Sequence, residues 1–154
     1  MQEIPEAYTR VMRTAFRILS YQDNTQRVLH RKLREKGFTE EECEFAVRYA
    51  VQNGYLNEDR QLYYAVKRLA DGKLYGRRRI LAELYRLGFS RQTVEHGAEN
   101  GCFDEIDFAA NCLRLLQKRG GTADDRTMAF MLRYGYTVSE VRAAQNALDM
   151  QENL

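Results

Sequence analysis

The sequence predicts an all-α protein in which three tandem three-helix repeats stack into an elongated, curved array with right-angled elbows between helices. The first observation behind this prediction is a short segment that recurs three times, centred on Gly37, Gly88 and Gly135. The second is an apolar periodicity of helical spacing along nearly the whole chain. The third is that Pro5 is the single proline among 154 residues, because a chain without later prolines is compatible with helix almost throughout.

Each copy of the recurring segment predicts the end of one helix and the start of the next. An apolar residue lies four positions before the glycine, and an aromatic and then a hydroxyl residue follow it. Glycine adopts the left-handed conformation that closes a helix, and the hydroxyl residues Thr39, Ser90 and Thr137 are expected N-caps of the following helices. Glu42 and Glu140 extend two of these caps to capping boxes. The connection of roughly two residues is shorter than the roughly three- to four-residue turn of a helix-turn-helix unit.

We expect one elongated domain over residues 1–154, divided into repeats at about 5–54, 55–101 and 102–150. A three-helix unit of this size buries little core alone, so neighbouring repeats are expected to cover one another's apolar faces. Phe45 and Tyr49 are either part of such a seam or simply half-exposed aromatics. The expected apolar faces include Cys43, Ala46, Val47, Ala50 and Val51 in the third helix, Ile106, Ala109, Ala110, Leu113 and Leu116 in the seventh, Met128, Met131 and Leu132 in the eighth, and Val138, Val141, Ala144 and Leu148 in the ninth.

Three acidic pairs precede expected helices. Glu58–Asp59 and Asp104–Glu105 follow the glycine-containing turns between repeats, and Asp124–Asp125 lies within the third repeat. Because the N-terminus of a helix carries a partial positive charge, these acids are expected at helix starts rather than as an acid–base pair.

Composition and spacing argue against an enzyme, a metal protein and a membrane protein. No apolar run approaches the roughly 18 residues of a membrane span, and the N-terminal residues lack a signal pattern. The three cysteines show no CxxC spacing, which favours free thiols in a reducing cytoplasm. His30 and His96 have no ligand-like neighbours, and Gly72-Lys73 lacks the upstream glycine of a phosphate loop. No catalytic residue, metal or cofactor is expected.

The net charge is only +2, but basic residues concentrate in the middle of the chain. Two basic stripes on consecutive repeats are candidates for contact with one elongated anionic partner, either a DNA backbone or the acidic rim of a protein groove. Aromatics beside arginines suit a protein interface or stacking on unpaired bases. The plain alternative is that these are solvated helix faces and half-buried tyrosines. The candidate residues are Arg27, Arg31, Lys32 and Arg34 in the first repeat and Lys73, Tyr75, Arg77, Arg78, Arg79, Tyr85 and Arg86 in the second.

Five motifs of this chain match a known family in their order and spacing: Arg17-Ile-Leu, Leu29-x-x-Lys32-Leu33, Gly54-Tyr55-Leu56-Asn57-Glu58-Asp59-Arg60, Gly76-x-x-x-Ile80-x-x-Glu83-Leu84 and Arg133-Tyr134-Gly135-Tyr136. Through them the chain resembles the bacterial RecX family of regulatory proteins over about residues 8–148. One difference from the family pattern is Arg77, which stands where a proline is common. A cation at a helix N-terminus is unfavourable, so an anionic partner is expected there.

The resemblance implies a non-enzymatic modulator of the RecA recombinase, acting in recombination, repair and the SOS response. Family members bind the RecA–DNA filament along its helical groove and block filament growth, ATP hydrolysis and strand exchange. The partner implied for this chain is therefore the RecA filament, with DNA contact within that complex. A monomer in the cytoplasm is expected.

Two other functions fit the same residues. One is a direct DNA-binding helical protein without a recombinase partner; the other is a helical-repeat scaffold. The basic residues lie on the helix before each elbow, whereas base-reading residues of a helix-turn-helix unit lie at the start of the helix after the turn. Tight DNA binding without a recombinase would favour the first of these alternatives.

Overall fold

The computed structural model describes residues 3–153, and this part of the chain contains nine α-helices and no strands. The all-α prediction of three sets of three helices is confirmed. A 3₁₀ turn (Glu6–Tyr8) precedes the first helix, and a π-helical turn (Arg68–Gly72) extends the fourth. The helices are α1 (Thr9–Tyr21), α2 (Gln26–Glu35), α3 (Glu40–Gln52), α4 (Glu58–Lys67), α5 (Arg77–Arg86), α6 (Arg91–Glu99), α7 (Phe108–Lys118), α8 (Asp125–Arg133) and α9 (Val138–Glu152).

All three predicted elbows have the geometry that their glycines indicate. The φ angles of Gly37, Gly88 and Gly135 are +94°, +103° and +105°. At each elbow the N–H of the following aromatic donates to a carbonyl five residues back, as from Phe38 to Leu33 at 3.3 Å, which is a Schellman motif. The three N-caps and both capping boxes are confirmed, and Ser90 caps α6 without a box.

The predicted connection of about two residues is shorter than the observed separation between the helices at each elbow, and that prediction was wrong. Four residues, 36–39, separate α2 from α3, because the two cap residues lie outside the helices. Positions 87–90 and 134–137 separate the other two pairs. Elbow length therefore does not distinguish these units from a helix-turn-helix.

Three clusters of buried side chains lie along the chain. One is formed by α1–α3 with Leu56, a second by α4–α6 with Phe103 and Ile106, and a third by α7–α9. Leu74 lies between α4 and α5 but belongs to the third cluster. The boundaries of the three repeats stay a prediction, because this loop of the second set contributes to the core of the third.

Several predicted apolar positions are solvent-exposed. Val51 is 40% exposed, and Leu132 and Val138 are each 38% exposed. Ala109 and Ala110 are also exposed, because α7 begins at Phe108 and turns a neighbouring face inward. That buried face of α7 consists of Asn111, Cys112, Leu115 and Leu116.

The structure decides two expectations about individual side chains. Phe45 is half-exposed, as the second alternative predicted, and stacks on the ring of Tyr8 at 4.0 Å, whereas Tyr49 fits neither alternative because it is buried in the first cluster. Asp104 and Glu105 do not begin a helix, because α7 starts at Phe108 and is capped by Asp107. The acidic pairs before α4 and α8 do lie at helix starts.

Both contacts between neighbouring sets use the N-terminus of a second helix and an elbow glycine. A Cβ on Gly88 would lie 2.8 Å from both Thr25 Oγ1 and Val28 Cγ2. In the next contact Gly76 takes the place of Thr25, and its N–H donates to the carbonyl of Tyr134 at 2.8 Å. The second helices α2, α5 and α8 therefore meet end to end, the N-terminus of one against the C-terminus of the next.

A side-chain amide supports each of these contacts. Gln61 Nε2 donates to the carbonyl of Asn24 at 2.9 Å, and Asn111 Nδ2 donates to the carbonyl of Ala70 at 3.3 Å. Both acceptors precede the second helix of the preceding set. In the third set the corresponding hydrogen bond is made within the set itself. Its donor is Gln145 Nε2, which lies 3.0 Å from the carbonyl oxygen of Gly121. The carboxyl-terminal end of the array is therefore satisfied by its own residues.

We expect the native protein to expose at most one readily reactive thiol. Burial raises the pKa of Cys112 to about 12 and raises the pKa of Cys43, and both side chains are fully buried. Cys102 is only half-buried, although desolvation raises its pKa as well. Thiol titration with a chromogenic disulfide at pH 8 tests this: one slow group in buffer and all three in denaturant is the expected result. Rapid reaction of Cys112 without denaturant would contradict the packing of the third cluster.

Candidate functional site

The predicted basic residues lie on α2 and at the start and along the length of α5, two neighbours in the row of second helices. Two backbone hydrogen bonds join α5 to α8 in this row. The N–H of Gly76 donates to the carbonyl of Tyr134, and the N–H of Arg78 donates to the carbonyl of Gly135 at 3.4 Å. At its first junction the elbow of α5 packs on Thr25 and Val28 of α2. The fold thus places the two basic helices end to end, which the sequence alone did not establish.

The three candidate arginines on α2 differ in their partners. Arg27 is exposed and has no ion pair within residues 3–153. Arg31 Nε lies 3.5 Å from a Glu35 carboxylate oxygen, and both side chains are more than 60% exposed. Arg34 Nη1 donates to the carbonyl of Phe38 at 3.0 Å, which attaches it to the elbow. Exposed pairs of this kind contribute about 0.2–1 kcal/mol, so Arg27 and Arg31 remain available to a partner.

Lys32 lies on a different side of α2 from these arginines. Its Nζ donates to Asn24 Oδ1 at 2.6 Å, and the side chain is half-buried. Together with Arg17, Tyr21 and Lys36 it lines an open groove between α1 and α2. Tyr21 is 91% exposed at the edge of this groove.

The cluster at the start of α5 divides into free and engaged cations. Lys73 and Arg78 are exposed, and the described part of the chain gives neither an ion pair. Arg77 lies over the ring of Phe103, with its Cζ 4.6 Å from the ring centroid. Arg79 is engaged three times: over the ring of Tyr75 at 4.6 Å, with Glu83 at 3.3 Å, and to the carbonyl of Arg133 at 3.2 Å. Arg79 therefore has a structural role in joining α5 to α8.

Glu83 holds two of the predicted arginines in place. Arg86 Nη2 lies 2.8 Å from one of its carboxylate oxygens, and Arg79 Nε lies 3.3 Å from the other. These bonds, led by the one from Arg86, lower the pKa of Glu83 despite its partial desolvation. The carboxylate neutralises part of the positive charge that the sequence suggested for this face.

The predicted tyrosines are in two settings. Tyr75 is half-buried, and its ring packs edge-on against Tyr134 at 5.1 Å. Tyr85 is 41% exposed on α5. Tyr85 is therefore accessible to a partner, whereas Tyr75 forms part of the junction.

The N-terminus of α5, where an anionic partner is expected from Arg77, meets the C-terminus of α8. The amide groups of Gly76 and Arg78 donate to the carbonyls of Tyr134 and Gly135, which are the negative end of α8. The Arg77 side chain itself is exposed, so a contact of Arg77 with an anionic partner stays a prediction.

Sequence reasoning missed the cations of the third set. Arg119, Arg126 and Arg133 are exposed, and no ion pair is formed by them within residues 3–153. A signal for one of them was present, because an arginine lies two positions after the N-cap of every second helix. These arginines are Arg27, Arg78 and Arg126.

Residues 3–153 contain no group of three or more His, Cys, Asp or Glu side chains that is arranged to hold a metal ion. No helix in the same span is long and apolar enough to cross a membrane. The arrangement offers surface cations and aromatic rings, which are groups that suit binding to an anionic partner.

Comparison with known proteins gives matches of three kinds. The family model for the first three-helix domain of RecX matches residues 12–49. Regulatory protein RecX of Caldanaerobacter subterraneus is 36% identical over 86 residues, which are 56% of this chain and 43% of that protein. Regulatory protein RecX of Vibrio vulnificus is 35% identical over 85 residues, 54% of each chain. These two matches thus span about half the length of the relatives concerned.

Two further matches extend over nearly the whole chain. Regulatory protein RecX of Halorhodospira halophila is 29% identical over 157 aligned positions, covering 97% of this chain and 94% of that protein. The crystal structure of RecX from Lactobacillus salivarius superposes with a TM-score of 0.78 at 16% identity, covering 93% of this chain and 97% of that one. The structural match supports the fold, and the sequence matches support the family. The chain is thus similar to RecX regulatory proteins in sequence over nearly its whole length and shares their fold.

Proposed function

We propose that this chain is a non-enzymatic regulator that binds the RecA–DNA filament in its helical groove and inhibits filament growth, ATP hydrolysis and strand exchange. The observation that carries the proposal is the end-to-end row of second helices. It places Arg27 and Arg31 on α2 in the same row of helices as Lys73 and Arg78 at the start of α5. An extended row of exposed cations suits an elongated anionic partner, and the similarity to RecX regulatory proteins indicates which one.

Direct reading of DNA bases by a helix-turn-helix unit is the alternative function for these cations. In a helix-turn-helix unit the first turn of the helix after the elbow contacts the bases. The first turn of α3 carries Glu40, Glu41 and Glu42, which would repel DNA. The alternative of a DNA-binding protein without a recombinase partner is therefore less well supported, at least for the first set.

The same proposal includes a cytoplasmic monomer without a cofactor. The carboxyl-terminal contact surface is satisfied internally by Gln145. On the first set Val11, which occupies the place of Gln61 and Asn111, is fully buried in the first cluster. Both surfaces are therefore occupied by residues of this chain, which supports a monomer.

The first experiment is ATP hydrolysis by preformed RecA–single-stranded-DNA filaments, with this protein added well below the recombinase concentration. Progressive loss of hydrolysis is the expected result. Unchanged hydrolysis with a folded protein, as judged by circular dichroism, would contradict the proposal. Tight binding to the same DNA without RecA would then favour the DNA-binding alternative.

Charge reversal tests which residues make the contact. We expect the triple variant Arg27→Glu, Lys73→Glu, Arg78→Glu to require about tenfold or more protein for half-inhibition, because three desolvated charge pairs are replaced by repulsion. The matched control is Arg13→Glu, Arg48→Glu, Arg142→Glu, which makes the same change in net charge at exposed positions on α1, α3 and α9. Equal loss in both triples would assign the effect to overall charge. Inhibition that is intact in the first triple at physiological salt would exclude these residues.

A further inference from the structure

The two junctions between neighbouring sets are built from different kinds of contact. Within residues 3–153, no hydrogen bond between backbone groups joins the first set to the second. Two side chains of α4 supply polar contacts instead. Glu58 Oε1 accepts from the N–H of Gln26 at 2.5 Å, and Gln61 Nε2 donates to the carbonyl of Asn24. We call Glu58 and Gln61 the connecting pair.

The second junction is joined by backbone groups and by a shared core. In addition to the two backbone bonds from α5 to α8, the Tyr136 hydroxyl and Arg79 Nη1 donate across it to the carbonyls of Leu74 and Arg133. Leu74 is buried in the third cluster, and the half-buried Phe108 packs against both the second and the third cluster. Apolar packing is therefore continuous from the second set into the third.

The first cluster has no such connection, because none of its described buried residues belongs to the second cluster. The chain passes between the two at Asn57, which lies between Leu56, buried in the first cluster, and Glu58, the first residue of α4. Two open clefts, of about 440 Å³ and about 250 Å³, enter this junction, and each is lined by residues of both sets. A single crossing point beside open clefts allows rotation with little loss of packing.

We infer that the first junction is a hinge at Asn57, across which the first set rotates against a rigid body formed by the second and third sets. The connecting pair stabilises the arrangement seen in the structure. Units of one chain move relative to one another unless their interface is large and apolar, and side-chain hydrogen bonds beside open clefts exchange readily with water. Motions of this kind occur in microseconds to milliseconds.

The hinge has a consequence for the row of second helices. Rotation at Asn57 changes the distance between Arg27 on α2 and Arg78 on α5, so the two groups of cations adjust their spacing to a partner. This consequence rests on the proposed function, whereas the hinge itself does not.

Distances between nitroxide labels on the free chain, measured by pulsed electron paramagnetic resonance, test the hinge. The pair Arg13→Cys, Arg91→Cys spans the first junction, and the pair Arg91→Cys, Arg142→Cys spans the second, each in a Cys102→Ser background; all three labelled positions are exposed. We expect the distance distribution across the first junction to be at least about twice as wide as that across the second. A third pair, Arg48→Cys, Arg91→Cys, reports rotations that leave the first distance unchanged.

Removal of the connecting pair tests its role. Glu58→Ala, Gln61→Ala should widen the distribution across the first junction further and leave the second unchanged. Asn111→Ala is the matched control, because Asn111 donates the corresponding amide hydrogen bond to the carbonyl of Ala70 at the second junction. There the backbone bonds and Leu74 remain, so the distribution should stay narrow. Circular dichroism melting shows that each variant is folded, and the wild-type comparison does not depend on them.

Equal widths at the two junctions of the wild type would overturn the hinge. An unchanged first-junction distribution in the double variant would overturn the role of the connecting pair. The proposed function would stand in both cases, because the recombinase is absent from these measurements. When preformed RecA filaments are added, the first-junction distribution should narrow. Binding that leaves its width unchanged would show that the partner does not select one arrangement of the hinge, and would overturn the adjustment of the cation spacing.

Discussion

Gly135→Ala should destabilise the protein by about 3–5 kcal/mol, whereas Gly37→Ala should cost about 1–2 kcal/mol. Both glycines close a second helix in a Schellman motif, with φ angles of +105° and +94°. An L-residue at either position pays for the left-handed conformation. The comparison therefore holds the local backbone strain nearly constant.

What differs between the two positions is the space around the added methyl group. A Cβ on Gly37 would meet no atom within 4 Å. A Cβ on Gly135 would lie 2.5 Å from the backbone nitrogen of Arg79 and 2.8 Å from the carbonyl oxygen of Gly76. Backbone atoms cannot rotate away as a flexible side chain can. The α5–α8 junction would have to open, with loss of the hydrogen bonds that Gly76 and Arg78 donate across it.

Urea denaturation followed by circular dichroism at 222 nm measures both costs, since the chain has no tryptophan to report unfolding by fluorescence. In addition to the lower midpoint, Gly135→Ala should show a separate early transition as the third set uncouples from the second. Equal losses in the two variants would mean that the contact at Gly135 contributes nothing beyond its φ angle, and that the end-to-end row is not held at this junction.

The elbows were predictable because their determinants lie within a few residues of one another. A glycine, the aromatic after it and the hydroxyl after that specify a helix end and a cap by local backbone geometry. The π-helical turn at Arg68–Gly72 and the left-handed backbone of Leu74, with φ of +60°, have no comparable local cause. Leu74 is held there by the third cluster, whose residues come at least some 34 positions later in the chain.

The candidate site was predictable in its residue types and not in their partners. Helical periodicity places Arg27 and Arg78 on exposed faces, and the structure leaves both without an ion pair in the described chain. Arg79 has the same type and neighbourhood, but its contacts with Tyr75 and the Arg133 carbonyl depend on the approach of α8. The guanidinium of Arg119 likewise lies over the Phe130 ring, 3.9 Å from its centroid, because α7 packs against α8. Tertiary contacts thus decide which cations are free.

Tyr136→Ala should cost about 3–5 kcal/mol of unfolding free energy, and Tyr136→Phe about 1–3 kcal/mol. Tyr136 is fully buried in the third cluster, and its hydroxyl donates to the carbonyl of Leu74 at 2.7 Å. Phenylalanine keeps the ring but leaves a buried carbonyl without this donor, whereas alanine also leaves a cavity. Tyr85→Phe is the matched control, because Tyr85 is exposed; its effect should stay within about 0.5 kcal/mol.

The same hydroxyl makes stability depend on pH in the alkaline range. Burial raises the pKa of Tyr136 above the value of about 10 that it has in the unfolded chain. The folded state therefore holds this proton more tightly than the unfolded state. The stabilisation is fully present below about pH 10 and is lost as the pH rises from there towards the folded-state pKa.

Urea titrations at pH 9 and pH 10.5 separate this contribution from the others. Hydrogen bonds to Glu41 and Glu105 raise the pKa values of Tyr8 and Tyr63 as well, but these residues are present in both the wild type and the variant. The wild type should therefore lose more stability between the two pH values than Tyr136→Phe does. Identical losses would show that the Tyr136 proton is not held by the folded state, and that the hydroxyl does not anchor Leu74 across the junction.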